Sequence, residues 1–225
     1  MKKVFVAVVV MIATVTMSSA QVFVGGGLGL DFSGVKEKGG SASIDKPTGL
    51  AVQFTPKVGF HLNDDFAVGL EVGITSLSLK EAKTDKKDET KNSMFIWEIS
   101  GFARYKLVGY DRLSLLLEGS IGIAGGKAKT KVGSTTNEGD PVTIFSIGAL
   151  PVLSYNLTDK LSIEASCDFL RLGFSATTIT DSDDSNYKDI TTNFGLGVNS
   201  QTVSLSKYGG ASFSNYFNVG LIFKF

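Results

Sequence analysis

From residue 21 onward, apolar side chains recur at every second position. In the last segment Val219, Leu221, Phe223 and Phe225 share one side with Phe213 and Phe217, and Asn215 is the one polar member of that set. Ser214, Tyr216, Asn218, Gly220, Ile222 and Lys224 fall on the other side. A helix would scatter these residues around its circumference, whereas a strand sorts them onto two faces. The same sorting recurs over residues 21–32, 50–62, 66–74, 95–107, 113–123, 145–157 and 161–169. The phase slips near Leu77 and again across Leu170 to Phe174, where a bulge or a strand leaving the apolar zone is expected.

The connections carry as much information as the strands. Asn63 to Asp65, Gly109 to Arg112 and Thr158 to Lys160 are tight turns. Ser33 to Thr48, Lys80 to Ser93, Lys127 to Pro141 and Thr178 to Ala211 are long polar links. Short and long connections alternate, which gathers the short turns at one end, puts the long loops at the other and requires an even strand count. Eight segments fit. Within the last link, Thr191 to Val198 alternates weakly and is expected to pair with Thr202 to Lys207 as a hairpin above the other strands. Ten crossing strands is the alternative.

Alternation alone does not say which face looks inward. Three features do. Most segments run for 12 or more residues, where a soluble strand has about 5–6 and a tilted membrane strand needs about 9–11. The polar face carries both signs of charge: Lys57, Arg104, Lys106 and Lys224 with Glu71, Glu98, Glu118, Glu164 and Asp168. Such charges can pair inside a narrow closed barrel, as burial demands, while the nearly uncharged apolar face avoids the roughly 2–4 kcal/mol that a mid-depth Lys or Arg costs against lipid. Aromatic residues gather near the short turns, with Phe60 and Phe66 at the first, Tyr105 and Tyr110 at the second and Tyr155 at the third, as in an interfacial girdle. The expectation is a transmembrane barrel with its apolar face outward and an interior charge network.

The first twenty residues are of another kind. Lys2 and Lys3 precede an apolar run from Val4 to Ala13, and Ser18-Ser19-Ala20 places small residues before Gln21. This is the pattern of a secretory signal peptide, too short to span as a helix, with cleavage expected between Ala20 and Gln21. The chain thus divides into a signal peptide, 1–20, and a barrel domain, 21–225. Composition narrows the chemistry. Lys+Arg 22 against Asp+Glu 22 leaves no basic footprint for nucleic acid, and one Cys and one His among 225 residues exclude disulfide frameworks and His- or Cys-rich metal centres.

The sequence closes on Leu221-Ile222-Phe223-Lys224-Phe225. Alternating apolar residues with a terminal Phe resemble the assembly signal of bacterial outer-membrane barrels. Together with the signal peptide and four hairpins, residues 21–225 resemble the small eight-stranded outer-membrane families of the OmpX and OmpA-barrel type, described as "porin family" β-barrel domains. The resemblance implies an all-β, eight-stranded antiparallel up-and-down transmembrane barrel in the cell outer membrane, with short periplasmic turns and four long extracellular loops. It implies outer-membrane lipid around the barrel and insertion by the barrel-assembly machinery through Leu221, Phe223 and Phe225, while the lysine-rich link from Lys80 to Lys91 is a surface loop expected to meet lipopolysaccharide phosphates. The periplasmic peptidoglycan-binding domain of OmpA-type proteins has no counterpart in this sequence.

Candidate chemistry is sparse. Hydrolytic barrels of this size use a Ser–His pair near the outer leaflet, and His61 lies beside the opposite, Asn63 turn. Cys167 falls on the apolar face, where an inert thiol is expected. Gly25-Gly26-Gly27-Leu28-Gly29 opens a strand rather than a helix and fails as a dinucleotide loop. Asp181, Asp183 and Asp184 lack the Gly and closing Glu of an EF-hand calcium loop. No catalytic residue, cofactor or metal site is assigned. The expected role is structural or surface-interacting through the long loops, and not enzymatic. A narrow porin-like channel and a soluble exported ligand-binding barrel are the alternatives.

Overall fold

In the computed structural model, residues 21–39, 42–80, 90–182, 186–198 and 217–225 are described, with side chains at 31–48 and 217 left aside. Among the described residues, ten antiparallel strands form one sheet. They are β1 (Val22–Gly39), β2 (Ala42–His61), β3 (Phe66–Lys80), β4 (Thr90–Tyr110), β5 (Leu113–Val132), β6 (Thr135–Asn156), β7 (Leu161–Cys167), β8 (Leu172–Thr180), β9 (Lys188–Leu196) and β10 (Phe217–Lys224). Among the described residues no helix is long and apolar enough to cross a membrane.

The sheet closes on itself. Strands β1 to β6 pair in sequence order, β6 pairs with β7, β7 with β10, and β10 returns to β1 over Phe23 to Leu30. That ring passes through eight strands. Ten elements arise because the last two ring positions are each split. Strand β6 pairs with β7 along Val152–Asn156 and with β8 along Val142–Ala149, so β7 and β8 are two lengths of one stave. The break between them is a single 3₁₀ turn, Asp168–Leu170, at the phase slip seen in the sequence. Strand β9 pairs with β8, and β10 with β7, so the eighth stave is also in two lengths. Along one edge β9 pairs with β8, Thr191 opposite Thr177. Thr202 to Lys207 lies outside the described residues, as do residues 1–20 with Ala20.

The short turns lie where the sequence puts them. Asn63 Oδ1 accepts from the backbone N–H groups of Asp65 and Phe66 at 2.9 and 2.8 Å. Thr158 Oγ1 does the same for Lys160 and Leu161 at 3.2 and 3.0 Å. Both are side-chain mimics of a backbone turn. Asp111 takes the left-handed φ of 50° between β4 and β5, a conformation that Asp tolerates better than bulky residues.

Two of the four long links, residues 33–48 and 127–141, differ from expectation. In both, most of the length is strand: β1 and β2 pair out to Gly39 and Ala42, and β5 and β6 out to Val132 and Thr135, closed by Gly133 and Ser134. Strand β6 has 22 residues, about twice what a crossing needs. In the β5–β6 hairpin the surplus stands above the apolar zone, exposed from Lys131 to Glu138 with polar residues on both faces, and the period-two signal vanishes.

The apolar face points outward. Leu28, Ile99, Ile121, Ile147 and Leu221 are all about half exposed, whereas Arg104 and Glu118 are buried. The interior is layered. Near the short turns Phe23, Ala67, Phe102 and Ile222 form an apolar floor. Toward the hairpins Ala51, Leu77, Leu79, Met94, Ile96 and Ile144 belong to a second buried apolar cluster. Leu77 and Leu79 thus occupy regular inward positions of β3, whose register to β4 is unbroken. Of the two readings offered there, a bulge or a strand leaving the apolar zone, the bulge does not occur, and the slip marks the part of β3 where the interior turns apolar.

Candidate functional site

Charged residues occupy the layer between these two apolar zones. They lie on inward positions of β2 to β5 and of β7, and ring closure brings β7 across the barrel from β4. Lys57 on β2 faces Glu71 on β3 at 2.7 Å and reaches Glu118 on β5 at 3.4 Å. Arg104 on β4 is the hub. Its Nε donates to Glu118 at 2.6 Å, and Nη1 and Nη2 donate in parallel to the two oxygens of Glu164 on β7, each at 2.8 Å. The parallel geometry is the strong, orientation-fixing form of a guanidinium–carboxylate pair. The guanidinium also lies over the rings of Phe102 and Phe23, 5.2 and 5.6 Å from their centres, and the Lys57 ammonium is 5.3 Å from Phe102.

Phe102 in turn needs Gly69 beneath it. A Cβ there would collide with the ring and with the Val58 carbonyl oxygen. The glycine makes room for the aromatic floor on which the ion pairs rest.

The remaining charges named from the sequence are spread differently. Glu98 lines the same chamber, a cavity of about 70 Å³. Asp168, in the 3₁₀ break, accepts from Asn218 Nδ2 at 3.4 Å and stands 3.6 Å from Arg171 Nε. Lys106 and Lys224 are outside this layer. Lys106 pairs with Asp65 at 2.9 Å beside the first turn, and Lys224 donates to Asn156 Oδ1 at 3.1 Å. Both line a second cavity of about 160 Å³ near the short turns, together with His61, whose ring packs 5.2 Å from that of Phe23. Arg104 and Glu164 line both cavities and stand between them.

Arg171 belongs to the central layer and was not expected there. It donates to Ser120 Oγ at 3.0 Å. It follows the 3₁₀ turn directly, where the alternation gives no face, so only the slip itself pointed to this place. Gln53 and Asn218 also line the chamber. Cys167 is a half-buried free thiol at the end of β7. Leu221, Phe223 and Phe225 are exposed on the outer side at the end of β10, with the last two rings edge to face 5.1 Å apart. Gln21 is exposed, and its carbonyl accepts from the His61 N–H at 3.0 Å. Among the described residues no group of three or more His, Cys, Asp or Glu side chains converges to hold a metal.

Residues 5–201 match the family described as outer membrane protein beta-barrel domain. The chain belongs to this family. It is an integral β-barrel protein of the cell outer membrane, which explains an apolar exterior around a charged axis. No curated protein matches the sequence. Among solved structures the barrel is similar to Neisserial surface protein A, at 14% identity over 92% of this chain and 100% of that one, TM-score 0.39. It is similar to the attachment invasion locus protein Ail of Yersinia pestis at 12% identity, covering 92% and 97%, TM-score 0.37. It is also similar to a major outer membrane protein of Thermus thermophilus at 11% identity, covering 92% and 100%, TM-score 0.45. At these values they transfer no residue role to this barrel.

Proposed function

We propose that this outer-membrane barrel is a non-conducting, non-enzymatic scaffold that acts at the cell surface through the hairpins above its closed ring. One observation carries the reading. The interior is filled by an ion-pair layer between two apolar layers, which is the arrangement of a solid core rather than a passage. The hairpins are where a rigid scaffold presents variable chemistry. That of β5 and β6 carries Lys127, Lys129 and Lys131, cations suited to lipopolysaccharide phosphates. Outer-membrane lipid is the partner of the outward belt. The barrel-assembly machinery is the partner of Leu221, Phe223 and Phe225, which lie exposed on one edge of the rim. The absence of catalysis is part of the same reading: His61, the single imidazole, packs against Phe23 near the short turns.

The test is planar-bilayer recording on the purified protein. No steady unitary conductance is expected. Reproducible current steps would replace this reading with that of a narrow channel.

A further inference from the structure

Three lysines stand abreast where the strands rise out of the apolar belt. Lys91 on β4 is directly opposite Lys80 on β3 along one edge and directly opposite Lys131 on β5 along the other. Residues paired in register share a face of the sheet. Every second residue below Lys91 on β4 is Ser93, Phe95, Trp97 and Ile99, and the last three are exposed on the outer belt. The row therefore looks outward, on the side that meets lipid, and all three lysines are exposed. Neighbouring strands lie about 4.8 Å apart, so the three stems leave the sheet within about 10 Å of one another.

Like charges directly opposite in a sheet destabilise it, so this row needs a counter-charge. The strands do not supply one. Glu138, opposite Lys129 on β6, is already bonded to Lys127 and Lys129, each at 2.9 Å. Among the described residues no acidic side chain pairs with Lys80, Lys91 or Lys131. Residues 81–89, between Lys80 and β4, lie outside the described residues.

Height says where the counter-charge comes from. Lys91 is four residues above Phe95, about 13 Å along the strand and about 9 Å in height at a tilt of about 45°. Phe95 and Trp97 are aromatic residues of the belt, of the kind that marks a membrane interface, so the lysines stand at the level of lipid headgroups. The next row down is Ser78, Ser93 and Lys129, and apolar Ile74, Trp97 and Ile99 follow below it. An anion above with hydrocarbon below is an amphiphile, and the ammonium group is a point charge suited to phosphate.

We infer that Lys80, Lys91 and Lys131 hold the phosphate headgroup of an outer-leaflet lipid, whose acyl chains lie along Ile74, Trp97 and Ile99. The inference rests on the reading that the hairpins face the cell surface, and it gives that surface a specific site.

Trp97 is the single tryptophan of the chain, so it reports on the lipid beneath the row. The whole barrel is folded into vesicles of phosphatidylcholine with a fixed fraction of phosphatidic acid, and bromine, which quenches indole fluorescence on contact, is carried on the acyl chains of one lipid or the other. Quenching per mole of brominated lipid is expected to be greater when phosphatidic acid carries the bromine, and the excess should shrink as salt is raised. Lys91→Gln, at the centre of the row, is expected to lower the relative affinity for phosphatidic acid about fivefold. Replacing Lys80, Lys91 and Lys131 together by Gln is expected to abolish the excess. Lys160→Gln, in the turn at the opposite end, is expected to leave it unchanged. Equal quenching by the two lipids in the native barrel would overturn the inference, as would an excess that survives the triple replacement. Loss of the excess on adding inorganic phosphate at constant ionic strength would also overturn it, in favour of a free anion. A barrel silent in bilayer recording but without lipid preference loses this site alone. Current steps with the preference intact would remove the scaffold reading and leave the site.

Discussion

Arg104 is the side chain on which the interior network turns. Its guanidinium satisfies one carboxylate on the adjacent stave β5 and another across the barrel on β7, and it lies on two aromatic rings. Removing one partner of a buried pair leaves the other charge uncompensated, which typically costs about 3–5 kcal/mol. Arg104→Met is expected to destabilise the barrel by about that amount in urea unfolding from lipid vesicles. Adding Glu164→Gln should restore part of the loss, because a neutral amide is less costly to bury unpaired than a carboxylate. A double variant less stable than Arg104→Met would show that the bidentate pair is not the coupled unit. Arg104, Glu118 and Glu164 were all placed on inward faces by the alternation of their strands. Their meeting was not legible, because Arg104 and Glu164 are 60 residues apart in the chain and touch only once the ring is closed. Arg171 escaped for a simpler reason: a 3₁₀ turn resets the alternation, so a residue just after it has no face until the backbone is known.

At the scale of the element, the β5–β6 hairpin is the informative case. Its upper part is fastened by Glu138, which bonds Lys127 and Lys129, each at 2.9 Å. These lysines hold the Glu138 carboxyl at about 2, well below its ordinary value. A depressed acid stabilises the folded form above its ordinary pKa, and that contribution is lost as pH falls toward the folded value. Amide exchange over Lys129 to Asn137 is therefore expected to speed up relative to the rest of β5 and β6 as the pH is lowered from 5 toward about 2. The change should shrink at high salt, since the pair is exposed and screened. An exchange ratio independent of pH would remove Glu138 as the fastening. This hairpin looked like a loop in the sequence because a strand with water on both faces shows no binary pattern. The crossing lengths below it, such as residues 113–123, were legible because one face meets hydrocarbon and the other does not.

The whole molecule is set by which side of the sheet faces out. Ile121 is half exposed on the outer belt, and its neighbour Ser120 lines the chamber. Ile121→Lys is expected to cost about 2–4 kcal/mol in vesicle unfolding, the range for a lysine against lipid near mid-depth. The unheated and boiled forms of the native chain should migrate differently on a gel, as a closed barrel resists detergent denaturation. Identical mobility in both lanes would contradict closure.

The sequence by itself determined the strand type, the short turns, the ring of eight and the outward direction of the apolar face. Each of these follows from local chemistry: side chains alternate with a period of two, turn residues act within three or four positions, and a lysine is costly in lipid wherever it falls. The tertiary structure decided the rest. It split the seventh and eighth staves, made the interior apolar at Leu77 and Leu79, and gathered Lys57, Arg104, Glu118 and Glu164 into one network while leaving Lys106 and Lys224 at the rim. Those outcomes depend on the register between staves and on the width of the closed ring, and these exist only when distant parts of the chain have met.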